Sequence, residues 1–78
     1  MPPTLVLYTR RECRLCEEAK AQLRAQFPRL PVEEVDVDAD PALAARHGVE
    51  VPVAFLGEVK AFKYRLDPAR LRRLLAGG

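Results

Sequence analysis

Residues 8–16 have the sequence YTRRECRLC, which contains the only two cysteines of the chain, Cys13 and Cys16. The pair stands between an apolar run that predicts a strand and a pattern that predicts a helix. A sulfur in the first turn of a helix faces unpaired backbone N–H groups and the positive end of the helix dipole, and both stabilise a thiolate. A second cysteine three positions later lies one turn away on the same side of the helix. The stretch therefore predicts a thiol–disulfide exchange site, with Cys13 as nucleophile and Cys16 as the more buried resolving thiol.

The charged side chains around Cys13 do not decide its reactivity. The arginines at positions 10, 11 and 14 favour the thiolate, whereas the glutamates at positions 12, 17 and 18 oppose it. A free thiol has a pKa of about 8.5, and lowering that pKa to about 7 makes about half of the sulfur thiolate at neutral pH. Since the formal charges cancel, we expect the helix terminus to supply this shift.

Two other uses of the cysteine pair need to be weighed. A structural disulfide that closes so short a loop contributes roughly 2 kcal/mol in the chain-entropy model. A zinc site normally takes four ligands, and the chain offers two cysteines and one histidine, His47, which falls in the last turn of a predicted helix. We therefore predict no metal site, assign His47 no catalytic role, and favour redox chemistry at Cys13 and Cys16.

The composition limits the class of protein. Seventy-eight residues, 49% of them hydrophobic, predict one small globular domain over residues 1–78. A net charge of +2 does not by itself call for a nucleic acid, and no apolar run approaches the ~18 residues of a membrane span. The N-terminal residues lack the charged and apolar regions of a signal peptide. We expect a cytoplasmic monomer that binds neither membrane nor nucleic acid.

The periodicity of the apolar residues predicts seven elements in the order β-α-β-α-β-β-α. The predicted strands are Thr4–Tyr8, Val32–Val37, Val53–Leu56 and Val59–Tyr64, and the helices are Cys13–Phe27, Pro41–His47 and Pro68–Leu75. The first two strands should be parallel, because a helix connects them, and the last two should form an antiparallel hairpin, because the turn between them is short. Asp40-Pro41 and Asp67-Pro68 predict the starts of the second and third helices, and Gly48 predicts the end of the second. The fold class is therefore α/β, with a four-stranded mixed sheet and helices on both faces.

This element order is the minimal architecture of a thioredoxin-like fold, and the chain resembles a glutaredoxin-like member of the thioredoxin superfamily. The resemblance rests on the pattern LYTRxxCxxC over residues 7–16 and on Val51-Pro52 before the third strand. It covers nearly the whole chain.

The resemblance implies further site residues. It implies a cis peptide bond before Pro52, which would turn the N–H and C=O of Val51 toward an extended substrate beside Cys13. It implies that Arg10 holds a glutathione carboxylate through a forked pair of hydrogen bonds, the alternative being a solvated surface arginine. Tyr8 ends the first strand and could flank the site or form part of the core.

The sequence departs from the glutaredoxin pattern at two places. Arg14-Leu15 stands between the cysteines where glutaredoxins usually have Pro-Tyr, so Leu15 presents an apolar surface there. The segment Lys60–Asp67 lacks the Gly-Gly turn that lets backbone approach glutathione, and Asp67 is its only acidic residue. The reductant is therefore either glutathione or a dithiol donor of the thioredoxin-reductase type, and no bound cofactor is predicted.

The function predicted from these residues is that of a small thiol–disulfide oxidoreductase, a cytoplasmic electron carrier that reduces disulfides of proteins or of small molecules. Two alternatives remain open at this point. One is an iron–sulfur module in which two copies of the chain bind a cluster through Cys13 and external thiols. The other is an adaptor that has the fold without the turnover.

Overall fold

The elements of the chain follow one another in the order that the apolar pattern predicts. The structure is a computed structural model that describes residues 3–77. Its strands and helices are β1 (Leu5–Thr9), α1 (Arg14–Gln26), β2 (Val32–Asp36), α2 (Pro41–His47), β3 (Val53–Leu56), β4 (Val59–Lys63) and α3 (Pro68–Leu75). A 3₁₀ turn, which the sequence pattern did not predict, follows β2 at Val37–Ala39. None of the helices within residues 3–77 is long and apolar enough to cross a membrane.

The four strands form one mixed sheet in the order β2-β1-β3-β4. β1 is parallel to β2 and antiparallel to β3, and β3 is antiparallel to β4. This arrangement confirms the predicted α/β fold, with β2 at the sheet edge. Tyr8 near the end of β1 pairs with Val53 at the start of β3, and Val53 pairs with Lys63 at the end of β4. The segments that leave β1, enter β3 and leave β4 therefore meet at one end of the sheet.

One face of the sheet is covered by α1 and α3. Leu5 and Leu7 of β1 are fully buried on this face, because alternate residues of a strand point to the same side. They form a single apolar cluster with residues from β3, β4 and both helices, namely Ala19, Leu23, Ala54, Ala61, Phe62, Leu66 and Leu71. This cluster is the main core and fixes α1, and with it Cys16, against the sheet.

The opposite face is covered by α2. The ring of Tyr8 stacks on His47, with ring centroids 4.3 Å apart, and the ring of Phe55 lies 5.5 Å from His47. His47 is 8% exposed, and its Nδ1 has no hydrogen-bond partner among the described residues. Tyr8 thus belongs to this second apolar layer, and helices cover both faces as predicted.

The helix ends confirm most of the predicted capping residues. Asp40 accepts a hydrogen bond from the N–H of Ala42 at 2.9 Å, and Asp67 accepts one from the N–H of Arg70 at 3.1 Å. Each caps a helix whose first residue is proline, which lacks the N–H that would otherwise be unpaired. Gly48 ends α2 as predicted, but its φ of −57° is right-handed. Position 48 requires glycine because a Cβ atom there would lie 2.5 Å from the carbonyl oxygen of Ala44, and not because its backbone is left-handed.

The stability of α3 should depend on Leu71, the one buried residue of that helix within the described chain. We expect Leu71→Ala to lower the free energy of unfolding by about 2–5 kcal/mol, because it leaves a cavity in the main core. Arg73→Ala, on the exposed side of the same helix, should change it by less than about 0.5 kcal/mol. Urea unfolding of both variants tests this, and equal losses would contradict it.

The stability of the protein should fall when His47 takes up a proton. Burial lowers the pKa of His47, and the nearby charge of Arg46 lowers it further, against an opposing effect of Glu50. Because the unfolded imidazole, with a pKa of about 6.5, then binds a proton more strongly than the folded one, the free energy of unfolding is largest above pH ~6.5. It decreases as the pH falls through the folded pKa.

The measurement is urea unfolding between pH ~7.5 and ~5.5, the range in which a histidine titrates. His47→Phe retains a ring beside Tyr8 but cannot bind a proton, so its stability should vary less over this range. His47 is the only histidine of the chain, and a wild-type pH dependence equal to that of His47→Phe would refute the assignment.

Candidate functional site: the cysteine pair at the start of the first helix

Cys13 is the N-cap residue of α1, and its extended backbone (φ −110°, ψ 107°) leads into the helix. Its Sγ accepts a hydrogen bond from the backbone N–H of Cys16 at 3.1 Å. The two cysteines are joined by a disulfide, with Cα atoms 5.2 Å apart. The sulfur of Cys13 therefore occupies the place of a capping oxygen, at the end of the helix where the dipole favours negative charge.

The two sulfurs differ in their access to solvent. Cys13 is half-buried, whereas Cys16 is fully buried against the main core. A partner that approaches from solvent therefore meets Cys13 first. Among the residues that the structure describes, no group of three or more His, Cys, Asp or Glu side chains converges to hold a metal ion.

The charges near Cys13 are less balanced than their number suggests. Glu17 pairs with Lys20 at 2.7 Å, and Glu18 lies 3.8 Å from the guanidinium of Arg65. Arg10 pairs with Asp38, a residue far along the chain. Within residues 3–77 this leaves three exposed side chains beside Cys13 without an ion pair, namely Arg11, Glu12 and Arg14. The excess is positive, in the direction that favours a thiolate.

Arg10 has internal partners. Its Nε and Nη2 donate to the two carboxylate oxygens of Asp38 at 2.9 and 3.0 Å, and its Nη1 donates to the carbonyl oxygen of Gly48 at 3.1 Å. These hydrogen bonds hold the pKa of the Asp38 carboxyl below its ordinary value and raise the pKa of Arg10. The forked pair predicted for a glutathione carboxylate is thus formed with a carboxylate of the chain itself. Binding of glutathione by Arg10 stays a prediction that must compete with Asp38.

Val51 and Pro52 enter β3 at the end of the sheet where β1 leads out toward Cys13. The peptide bond between them is cis, as the resemblance implies, and Pro52 is fully buried. No hydrogen bond within residues 3–77 uses the N–H or the C=O of Val51. Both groups are therefore available for the predicted pairing with an extended substrate.

Tyr64 belongs to the same region and was missed by sequence reasoning. Its N–H donates to the carbonyl of Pro52 at 2.7 Å, and its hydroxyl donates to the carbonyl of Val49 at 3.3 Å. Its φ of 67° is left-handed, which is unusual for a bulky residue. The sequence held one signal for this. Lys60–Asp67 contains no glycine, so a left-handed turn in that segment must use a residue with a side chain.

A small hollow lies beside the first turn of α1. Leu15, half-buried in that turn, lines this hollow of about 140 Å³ together with Tyr64, and neither cysteine lines it. Val49, whose carbonyl accepts a hydrogen bond from the Tyr64 hydroxyl, is 85% exposed. A larger groove, of about 450 Å³, lies between α1 and β2 and contains neither cysteine. Neither cysteine lines either cavity, so the half-buried Cys13 meets a partner at the open surface of the protein.

Comparison with known proteins places the chain in a family. The family model described as Glutaredoxin-like domain (DUF836) matches residues 4–76. Protein XcR50 of X. campestris is 31% identical, with a TM-score of 0.75, over 95% of this chain and 97% of that one. Protein Ne2328 of Nitrosomonas europaea is also 31% identical, with a TM-score of 0.82, over 95% and 92% of the two chains.

A more distant structure supports the fold alone. Fasciola hepatica thioredoxin is 18% identical, with a TM-score of 0.54, over 95% of this chain and 78% of that one. Comparison with curated proteins gave no match. The chain is therefore a member of the glutaredoxin-like domain family, with a thioredoxin-like fold.

Proposed function

We propose that the protein is a thiol–disulfide oxidoreductase that reduces disulfides through Cys13 and Cys16. The observation that carries this proposal is the difference between the two bonded sulfurs, one reachable at the N-terminus of α1 and the other fully buried behind it. Membership of the glutaredoxin-like family supports the same class of chemistry.

The reaction begins with both cysteines reduced. The Cys13 thiolate attacks one sulfur of a substrate disulfide, so that a mixed disulfide forms and the other substrate sulfur leaves as a thiolate, which takes up a proton. Cys16 loses its proton and attacks the sulfur of Cys13, which releases the second substrate thiol. Two electrons have then passed to the substrate, and the protein holds the Cys13–Cys16 disulfide. An external thiol reductant restores the starting state.

The N-terminus of α1 assists the first and last steps. Negative charge is present on Cys13 when it attacks and returns to it when the Cys13–Cys16 disulfide is reduced. The N–H of Cys16, which donates to that sulfur at 3.1 Å in the disulfide form, and the helix dipole would stabilise this charge.

The proposed substrates are disulfides that can approach a shallow surface, above all those in extended segments of proteins. The unpaired N–H and C=O of Val51 would bind the backbone of such a segment beside Cys13. Two reductants are proposed. One is glutathione. The other is a dithiol protein, because Lys60–Asp67 has no Gly-Gly turn and only one carboxylate with which to hold glutathione.

The order of attack can be tested with single cysteine variants. Cys16→Ser should accumulate a mixed disulfide with a peptide disulfide, because the step that releases the substrate is blocked. Cys13→Ser should form none, because Cys16 is buried. Mass spectrometry of the two variants after incubation with the same peptide gives the result, and a trapped adduct on Cys13→Ser would reverse the assignment.

The thiolate itself can be measured in the reduced protein. We expect the rate of alkylation of Cys13 by iodoacetamide to rise with pH around a midpoint below the ~8.5 of a free thiol. Reduced Cys16→Ser is suitable because it contains a single thiol. A midpoint at or above that of a free cysteine would count against the proposed activation by the helix terminus.

A further inference from the structure

Arg10 joins three segments that are distant in the sequence. It stands directly after β1 and three residues before Cys13, and its guanidinium reaches Asp38 in the 3₁₀ turn and Gly48 at the end of α2. Gly48 begins the segment Gly48–Pro52, here called the Pro52 loop. One side chain therefore connects the segment that carries Cys13 with the segment that leads to Val51.

The contact with Gly48 is closely packed. A Cβ atom on Gly48 would lie 2.5 Å from the carbonyl oxygen of Ala44 and 2.9 Å from Nη2 of Arg10. The carbonyl oxygen of Ala44 would collide with even a small side chain at position 48. It cannot move aside, because it belongs to the backbone of α2. The absence of a side chain at position 48 thus allows Arg10 to approach the backbone of the Pro52 loop.

Asp38 is itself held in place. Its N–H donates to a carboxylate oxygen of Asp36 at 2.9 Å, which fixes the start of the 3₁₀ turn, and the preceding Val37 is fully buried. The backbone that carries the Asp38 carboxylate is therefore fixed independently of Arg10, by this hydrogen bond and by the burial of Val37. A forked arginine–carboxylate pair adds a defined orientation as well as attraction.

We propose that Arg10 is a positioning residue that fixes the Cys13 segment against the Pro52 loop, with its guanidinium committed to Asp38 and Gly48 and not to a substrate carboxylate. The proposal rests on the proposed function. Cys13 supplies the attacking sulfur and Val51 the backbone that would hold the substrate, so the rate depends on how accurately these two segments are placed. A displacement of about 1 Å can reduce a rate by the order of 10²-fold.

The test compares Arg10→Met, Asp38→Asn and the double variant. Arg70→Met is the matched control, since Arg70 donates two hydrogen bonds, at 3.2 and 3.0 Å, to the carbonyl of Lys60 on another part of the surface. Each reduced protein is mixed with oxidised glutathione, which carries carboxylates, and with the disulfide of an N-acetylated and C-amidated cysteine tripeptide, which has a peptide backbone but no charge. The second-order rate constant of disulfide exchange is measured for both.

We expect Arg10→Met and Asp38→Asn each to lower both rate constants by about tenfold, by the same factor for the two substrates, with Arg70→Met unchanged. The double variant should be no slower than the slower single variant, because both changes break one pair. If Arg10 binds substrate carboxylates, Arg10→Met will lose rate with glutathione alone and Asp38→Asn will lose none. That result would overturn the proposal.

A second measurement does not depend on the proposed activity. The equilibrium between the Cys13–Cys16 disulfide and dithiothreitol should shift toward the reduced protein by about threefold in both single variants, because a loosened segment presents Cys13 to Cys16 less effectively. A purely electrostatic role predicts opposite shifts, since Arg10→Met removes a positive charge and Asp38→Asn a negative one. Opposite shifts, or none, would refute the positioning role.

Two controls separate the possible failures. Urea unfolding shows whether each variant is folded at the assay temperature, and Arg10→Lys, which keeps the charge but cannot form the fork, should resemble Arg10→Met more than wild type. Recovery of the wild-type rate by Arg10→Lys would refute a role of the fork. A wild-type protein that exchanges with neither disulfide would refute the proposed function, and the dithiothreitol equilibrium would still decide the role of Arg10.

Discussion

The hydrogen bond from the N–H of Cys16 to the sulfur of Cys13 is the contact on which the site depends. It places one sulfur at the cap of α1 and the other inside the first turn. The apolar stripe of α1 that continues from Cys16 through Ala19 to Leu23 is buried in the main core, so the helix cannot rotate without exposing that stripe. The packing of α1 in the core therefore also fixes the direction in which the sulfur of Cys13 points.

Much of the fold could be predicted because its determinants are local. The apolar run that predicts the first strand, and the Asp-Pro caps at Asp40 and Asp67, are properties of short segments, and the structure confirms them. The prediction extended β2 to Val37, which in fact begins a 3₁₀ turn. The apolar pattern could not separate the two, since Val37 is buried in the 3₁₀ turn as it would be in a strand; the strand ends at Asp36, whose carboxylate accepts the N–H of Asp38.

The site was less predictable because its contacts join distant residues. The motif indicated both cysteines, but neither the partner of Arg10, which lies 28 positions away, nor the stack of Tyr8 on His47 has a signal in any short segment. A surface arginine and a helix-terminal histidine are ordinary features of a sequence. Only the meeting of the end of β1 with the 3₁₀ turn and the end of α2 gives them partners, and periodicity does not specify that geometry.

The backbone of Tyr64 has a consequence for protein engineering. A left-handed residue with a side chain costs roughly 1–2 kcal/mol, which glycine would avoid, but glycine would also remove the phenol that reaches the Val49 carbonyl. Position 64 is therefore a natural place to remodel this protein. Shortening its side chain would enlarge the hollow that Tyr64 and Leu15 line, without changing a residue of the cysteine pair or of a strand.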